Sequence, residues 1–200
     1  QTGNKTYPIQ GGNGNNIFGD MTTDQQGRFW LLNGKTILRF DPVKRVLIDS
    51  FVTGNRIPAF FRFGNPTGNA LYYVISNGDE QMVSLFRKEE QQNPVLIYKT
   101  PHTAAKGFAY TNSSRHHWIF LPDEIIRLSP DGKSVKRFAA PMASSFYVFS
   151  NQETVFFSGI RQNAIYWWNP ATDQVELYTN IPENVAGKMQ LFYVDNDRVY

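Results

Sequence analysis

One short pattern returns five times along the 200 residues, and its period is one that few folds can satisfy. The run Asp24-Gln25-Gln26-Gly27-Arg28-Phe29-Trp30 leads from a turn-forming stretch into an apolar one. It recurs as Asn65-Pro66-Thr67-Gly68-Asn69-Ala70-Leu71 and as Asn112-Ser113-Ser114-Arg115-His116-His117-Trp118. It returns as Asn151-Gln152-Glu153-Thr154-Val155-Phe156-Phe157 and, last, as Asp195-Asn196-Asp197-Arg198-Val199-Tyr200. The starts of successive copies lie 39 to 47 residues apart. A single copy means little; five at near-equal spacing mark an internal repeat.

A second register runs through the same repeats. Ile37-Leu38-Arg39-Phe40-Asp41-Pro42 recurs as Ile125-Ile126-Arg127-Leu128-Ser129-Pro130 and as Ile165-Tyr166-Trp167-Trp168-Asn169-Pro170, with Val83-Ser84-Leu85-Phe86-Arg87-Lys88 as the degenerate copy. Another β-rich run follows each: Val46–Val52, Val95–Lys99, Val135–Phe138 and Val175–Tyr178. The spacing therefore predicts four short strands per repeat, A to D. In the first repeat they are Phe18–Thr23, Arg28–Leu32, Thr36–Phe40 and Val46–Val52. Aromatics at 15% of the chain favour strands over helices. Asn33-Gly34 and Asn77-Gly78 sit between B and C, where a tight hairpin needs tolerance of positive φ. Asp131-Gly132 does the same between C and D, and the Pro after strand C stops a ladder it cannot continue.

Four strands in about 43 residues is the signature of a propeller blade. The expected fold is all-β, a β-propeller of four-stranded antiparallel blades at about 17–54, 59–100, 106–140 and 145–180. A further blade starts at 188–200, so the repeat count predicts an incomplete ring, a piece of a longer polypeptide. Trp30, Leu71, Trp118 and Phe157 fall on the same strand B position and are expected to pack between blades.

The stretch from Gly14 to Pro42, with Asn16-Ile17 at its start, Asp24-x-x-Gly27-x-Phe29-Trp30-Leu31 in its middle and Leu38-Arg39-Phe40-Asp41 at its end, resembles the two-component regulator propeller repeat. The third repeat carries part of that pattern in Trp118 and Arg127-Leu128. The resemblance implies the extracytoplasmic sensor region of a bacterial, in some members hybrid, histidine kinase. It implies a periplasmic or extracellular location, a homodimeric receptor, and small oligosaccharides as common ligands.

The residues themselves exclude several chemistries. The chain has no cysteine, which removes disulfides, Cys-ligated zinc and thiol catalysis. The net charge of +3 is spread, with no run of Lys or Arg longer than two, so no nucleic-acid face is expected. No apolar run reaches 18 residues, so no membrane-spanning helix and no membrane contact is expected. His116 and His117 are adjacent on a strand and face opposite ways, so they cannot chelate one metal. Glu89-Glu90 reads as a solvated turn, and Ser144-Ser145 lacks a nucleophile-elbow pattern. No metal, cofactor or catalytic residue is expected.

What remains is binding. The B–C and D–A loops share one rim, and their polar residues Arg56, Asn77, Asp79, His102, Arg161 and Asn163 suit hydroxyl recognition. Sequence reading thus favours a non-catalytic ligand-sensing propeller. The alternatives are a secreted propeller enzyme of lyase or lactonase type and a protein-binding scaffold. Truncating Trp30 or Trp118 to alanine is expected to cost about 3–5 kcal/mol, as for a buried large aromatic. Urea melts measure it, and a loss under about 1 kcal/mol would mean that the ring is exposed.

Overall fold

The structure, a computed structural model, describes residues 18–55, 57–64, 70–77, 81–102, 108–113, 115–141, 146–151, 154–159, 163–182, 194–195 and 198–199. Every regular element among the described residues is a strand. Blade 1 comprises β1 (Phe18–Thr23), β2 (Phe29–Asn33), β3 (Thr36–Asp41) and β4 (Val46–Val52). Blade 2 comprises β5 (Phe60–Phe63), β6 (Leu71–Asn77), β7 (Met82–Lys88) and β8 (Val95–Pro101). Blade 3 comprises β9 (Ala109–Asn112), β10 (His117–Phe120), β11 (Glu124–Leu128) and β12 (Val135–Ala139). Blade 4 comprises β13 (Phe146–Asn151), β14 (Thr154–Gly159), β15 (Ala164–Asn169) and β16 (Gln174–Asn180). Each is an antiparallel meander in chain order, and β17 (Val194–Asp195) with β18 (Arg198–Val199) forms a two-stranded sheet. The first strands of successive blades approach one another, β1 to β5, β5 to β9, β9 to β13 and β13 to β17, so they are the inner strands of the propeller. The Asp20 carboxylate ties two of them by accepting from the Phe63 backbone N–H at 2.8 Å.

The hydrophobic cores lie between blades, because successive strand residues face opposite ways. On β6, Leu71, Tyr73 and Ile75 pack with Trp30, Leu32 and Ile37 of blade 1. Tyr72 and Val74 pack with Ile119, Leu121, Ile126 and Leu128 of blade 3. On β10, Trp118 and Phe120 turn the other way, onto Val155, Phe157 and Trp168 of blade 4. Central strands are therefore buried on both faces: Leu71, Val74, Ile119 and Phe120 are all fully buried. Each such side chain stabilises the folded state by roughly 1.5–3 kcal/mol.

This packing corrects the expected equivalence of four strand B positions. Trp30, Leu71, Trp118 and Phe157 are all buried. Trp30 and Trp118, however, face the following blade, whereas Leu71 and Phe157 face the preceding one. The equivalents of Trp30 and Trp118 are instead Tyr72 and Phe156, paired across the sheet with Arg87 and Trp167. A one-residue slip in register exchanges the two faces of a strand.

Cations close two of the seams. Arg39, opposite Trp30 on β3, is 2% exposed and holds its guanidinium 4.9 Å above the Trp30 ring. It binds Asp24 of its own blade at 3.1 Å and Glu90 of blade 2. Glu90 therefore crosses a seam, where a merely solvated turn was expected. Burial works against the Asp24 carboxylate, but the Arg28 backbone N–H and the Arg39 and Arg28 guanidiniums outweigh it and hold its pKa below the ordinary value. Arg127, opposite Trp118, repeats the device by binding Asp173 of blade 4 between the rings of Trp118 and Trp168. Lys136 and the Trp168 indole N–H bind the same carboxylate, at 2.8 and 2.9 Å.

The turns carry the backbone cost of this arrangement. Between β2 and β3 the positive φ falls on Gly34 alone, at +59°, with Asn33 still paired in the ladder. Every C–D turn holds one left-handed residue: Arg45, Gln91, Gly132 and Asp173. Only the third is glycine, and the reason is its neighbour. A Cβ on Gly132 would lie 2.6 Å from the Ile97 carbonyl oxygen on β8 of blade 2. Gly34→Ala meets open space and should cost only the left-handed penalty of about 1–2 kcal/mol. Gly132→Ala should cost measurably more, because it also parts the seam between blades 2 and 3. Equal midpoints for the two variants in urea would contradict that close approach.

Candidate functional site

Chain direction places the B–C and D–A loops of all blades on one rim. On that rim a cleft of about 230 Å³ opens between blades 2 and 3. Gln81, Pro101 and His102 line it from blade 2, and Leu121, Pro122, Asp123 and Glu124 from blade 3. Gln81 stands just before β7 with φ of +48°, and its carbonyl oxygen accepts from the His102 backbone N–H at 2.6 Å. That bond ties the B–C loop of blade 2 to the end of β8. His102 is 8% exposed, and its ring packs edge-on against Phe108, 6.4 Å between centroids. Across the cleft, Leu121 N–H donates to the Glu124 carbonyl at 2.8 Å, closing the β10–β11 hairpin. Ala140 N–H donates to the Asp123 carbonyl at 3.1 Å.

The floor of the cleft is continuous with the seam. Arg137 on β12 donates to both carboxylate oxygens of Glu124, at 2.6 and 2.5 Å. Its other terminal nitrogen donates to the Tyr98 hydroxyl at 2.8 Å and to Thr100 Oγ1 at 3.3 Å, both on β8. One guanidinium thus joins an acid on the cleft wall to the neighbouring blade. The Asp123 side chain is exposed and makes no such ion pair among the described residues. The wall therefore offers an open carboxylate, a pinned carboxylate, an amide and an imidazole over an apolar edge of Leu121 and two prolines.

Of the residues singled out in the sequence, His102 lines this cleft. Asn77 ends β6. Asn163 is exposed on the β14–β15 loop of blade 4, where its carbonyl oxygen accepts from Ile181 N–H at 2.7 Å, and it does not line the cleft. Arg56, Asp79 and Arg161 lie outside the described residues. Sequence reading missed Gln81, Asp123 and Glu124. The available signal was positional: Asp123-Glu124 stands where strand B gives way to strand C in the third repeat, as Asn77-Gly78 does in the sequence of the second. Among the described residues no group of three His, Cys, Asp or Glu could hold a metal ion.

The two adjacent histidines diverge onto different seams. His116 packs edge-on against Trp118 and Trp168, facing blade 4. His117 is 2% exposed, bonds the Tyr110 hydroxyl through Nδ1 at 2.9 Å, and lies against Tyr72 of blade 2.

Neither a family model nor a curated protein matches the sequence. Solved structures do. Selenomethionine-substituted virginiamycin B lyase from Staphylococcus aureus superposes with a TM-score of 0.65 at 15% identity, over 94% of this chain and 63% of that one. A catalytically inactive form of that lyase with quinupristin gives 0.61 at 16%, over 83% and 56%. The WD40 domain of SCAP from fission yeast gives 0.55 at 12%, over 82% and 42%. The chain thus spans less than two thirds of each of these proteins. At such identities the likeness establishes the propeller fold alone.

The seam behind the cleft should respond to acid through His117. Burial lowers its pKa to about 4, against an ordinary value of 6.5. The unfolded chain therefore takes up the proton first as pH falls. Stability should decline from about pH 6.5 down to about pH 4, by about 3 kcal/mol in all. Urea melts at pH 7, 5.5 and 4 on the wild type and His117→Gln isolate the effect, since the variant keeps every other titrating group. Parallel pH profiles would rule out His117 as the source.

Proposed function

We propose that this chain is a ligand-binding propeller that serves an extracytoplasmic sensor of the two-component type and reads occupancy without transforming its ligand. The observation that carries the proposal is the cleft between blades 2 and 3, where loops of two blades converge. Its polar groups are held by backbone bonds and by the Glu124–Arg137 pair, so the ligand meets a preformed wall. At about 230 Å³ it suits a small molecule or one ring of a longer chain. Groups from both blades line it, so a bound molecule bridges them. Its binding energy then favours one relative placement of the blades, which is what a two-state receptor requires. The resemblance of the first repeat to regulator propellers supports the same reading, and it makes a small oligosaccharide the first ligand to try.

A second reading is enzymatic. The cleft sets the His102 imidazole beside the carboxylates of Asp123 and Glu124, residue types that serve general acid–base chemistry. One of the structurally similar proteins is a lyase, on the same fold.

A glycan panel screened against the full chain, followed by mass spectrometry of the recovered ligand, separates the two. The sensor reading expects binding, recovery of unchanged ligand, and roughly tenfold weaker binding in His102→Gln, one to two hydrogen bonds' worth. A product of altered mass whose formation stops in His102→Gln would make the chain an enzyme. No binding by any member of the panel would overturn the sensing of sugars.

A further inference from the structure

We propose that Lys136, Arg137 and Pro141 keep the outer strand of blade 3 from pairing with the same strand of a second copy of this chain. Among the described residues β4, β8, β12 and β16 each end their sheet, and a free edge is a template for another strand. Three of the four are bulged. Ile48 of β4, Ile97 of β8 and Tyr178 of β16 are extra residues, each standing between two neighbours whose partners are consecutive on strand C. A bulge bends the strand and interrupts its row of outward backbone groups. β12 has none: Val135–Ala139 pairs residue for residue with Glu124–Leu128.

The hydrogen bonds at the two ends of β12 fix which groups face out. Ser129 N–H donates to the Ser134 carbonyl at 2.9 Å, and Ala140 N–H donates to the Asp123 carbonyl at 3.1 Å. Bonded pairs alternate along an antiparallel ladder, so Lys136 and Phe138 bond inward in the same phase. Val135, Arg137 and Ala139 turn their N–H and C=O outward, and all three residues are exposed. A second β12 could add across a twofold axis in three registers. Centred on Arg137, the pairing sets two guanidiniums directly opposite one another. Centred on Lys136, it does the same with two ammonium groups. Like charges so placed are destabilising. Centred on Phe138, it sets Val135 against Pro141, which has no N–H to give. Each flat register is thus blocked by one residue, on the edge of the four that lacks a bulge.

The test is sedimentation equilibrium of the full chain at a series of concentrations, beside a variant carrying both Lys136→Thr and Arg137→Thr, since threonine suits a strand. The double variant loses both charge clashes. Its average mass is expected to climb with concentration towards twice that of the wild type. Inserting one residue between Arg137 and Phe138, where β8 and β16 carry their bulge, should return the double variant to the wild-type mass. That reversal distinguishes edge pairing from an opened seam, which an added residue would not close. Lys136 also binds Asp173, so Arg137→Thr alone carries the test if circular dichroism shows the double variant unfolded. The single change frees the register centred on Arg137, and a smaller rise in mass is expected, again reversed by the insertion. Wild-type mass in a folded variant, or association that survives the insertion, would overturn the proposal.

Discussion

Everything in this fold depends on the central strands having no solvent side. A blade of four strands exposes two apolar faces, and neither can be left to water. β6 buries Leu71, Tyr73 and Ile75 one way and Tyr72 and Val74 the other, so blade 2 is stable only between blades 1 and 3. Stability is thus a sum over seams and hardly a property of single sheets. The polar groups that reach the seams are the ones that decide how tightly neighbours meet.

Those groups are not distributed evenly. The seams between blades 1 and 2 and between blades 3 and 4 are each closed by an arginine on strand C, stacked on an aromatic ring and bound to an acid in the next blade's turn. Between blades 2 and 3 the corresponding arginine, Arg87, pairs with Glu89 of its own blade. That seam relies on other contacts: Gly132 against Ile97, His117 against Tyr72, and Arg137 reaching Tyr98 and Thr100. It is also the seam that opens into a cleft at the rim. Lacking the arginine clamp on one side, it presents polar side chains on the other.

The architecture was readable from the sequence because turn chemistry is local. Asp24, Asn112 and the prolines after strand C announce where strands end, whatever the tertiary context. Strand phase was not readable, for a physical reason. In Leu71-Tyr72-Tyr73-Val74 every residue is apolar, since both faces are buried, and the alternation that normally marks the inner face is missing. Leu71 was therefore matched to Trp30 when Tyr72 was its counterpart. Glu90 looked like a solvated turn because its partner Arg39 lies 51 residues away. The site was partly legible. His102 stood out as a rare residue in a loop, whereas nothing in the sequence set Asp123-Glu124 apart without blade 2 beside it.

The close approach of Gly132 to Ile97 has a consequence for how such a protein can change over generations. Repeats multiply by duplication of gene segments, and a duplicated unit must fit new neighbours on both sides. A copy of the third repeat placed elsewhere would leave behind Ile97 of blade 2, against which Gly132 is fitted, and Asp173 of blade 4, which Arg127 binds. The third repeat is thus fitted to blade 2 through Gly132 and to blade 4 through Arg127, and a copy of it can settle elsewhere only where new neighbours are refitted to it on both sides.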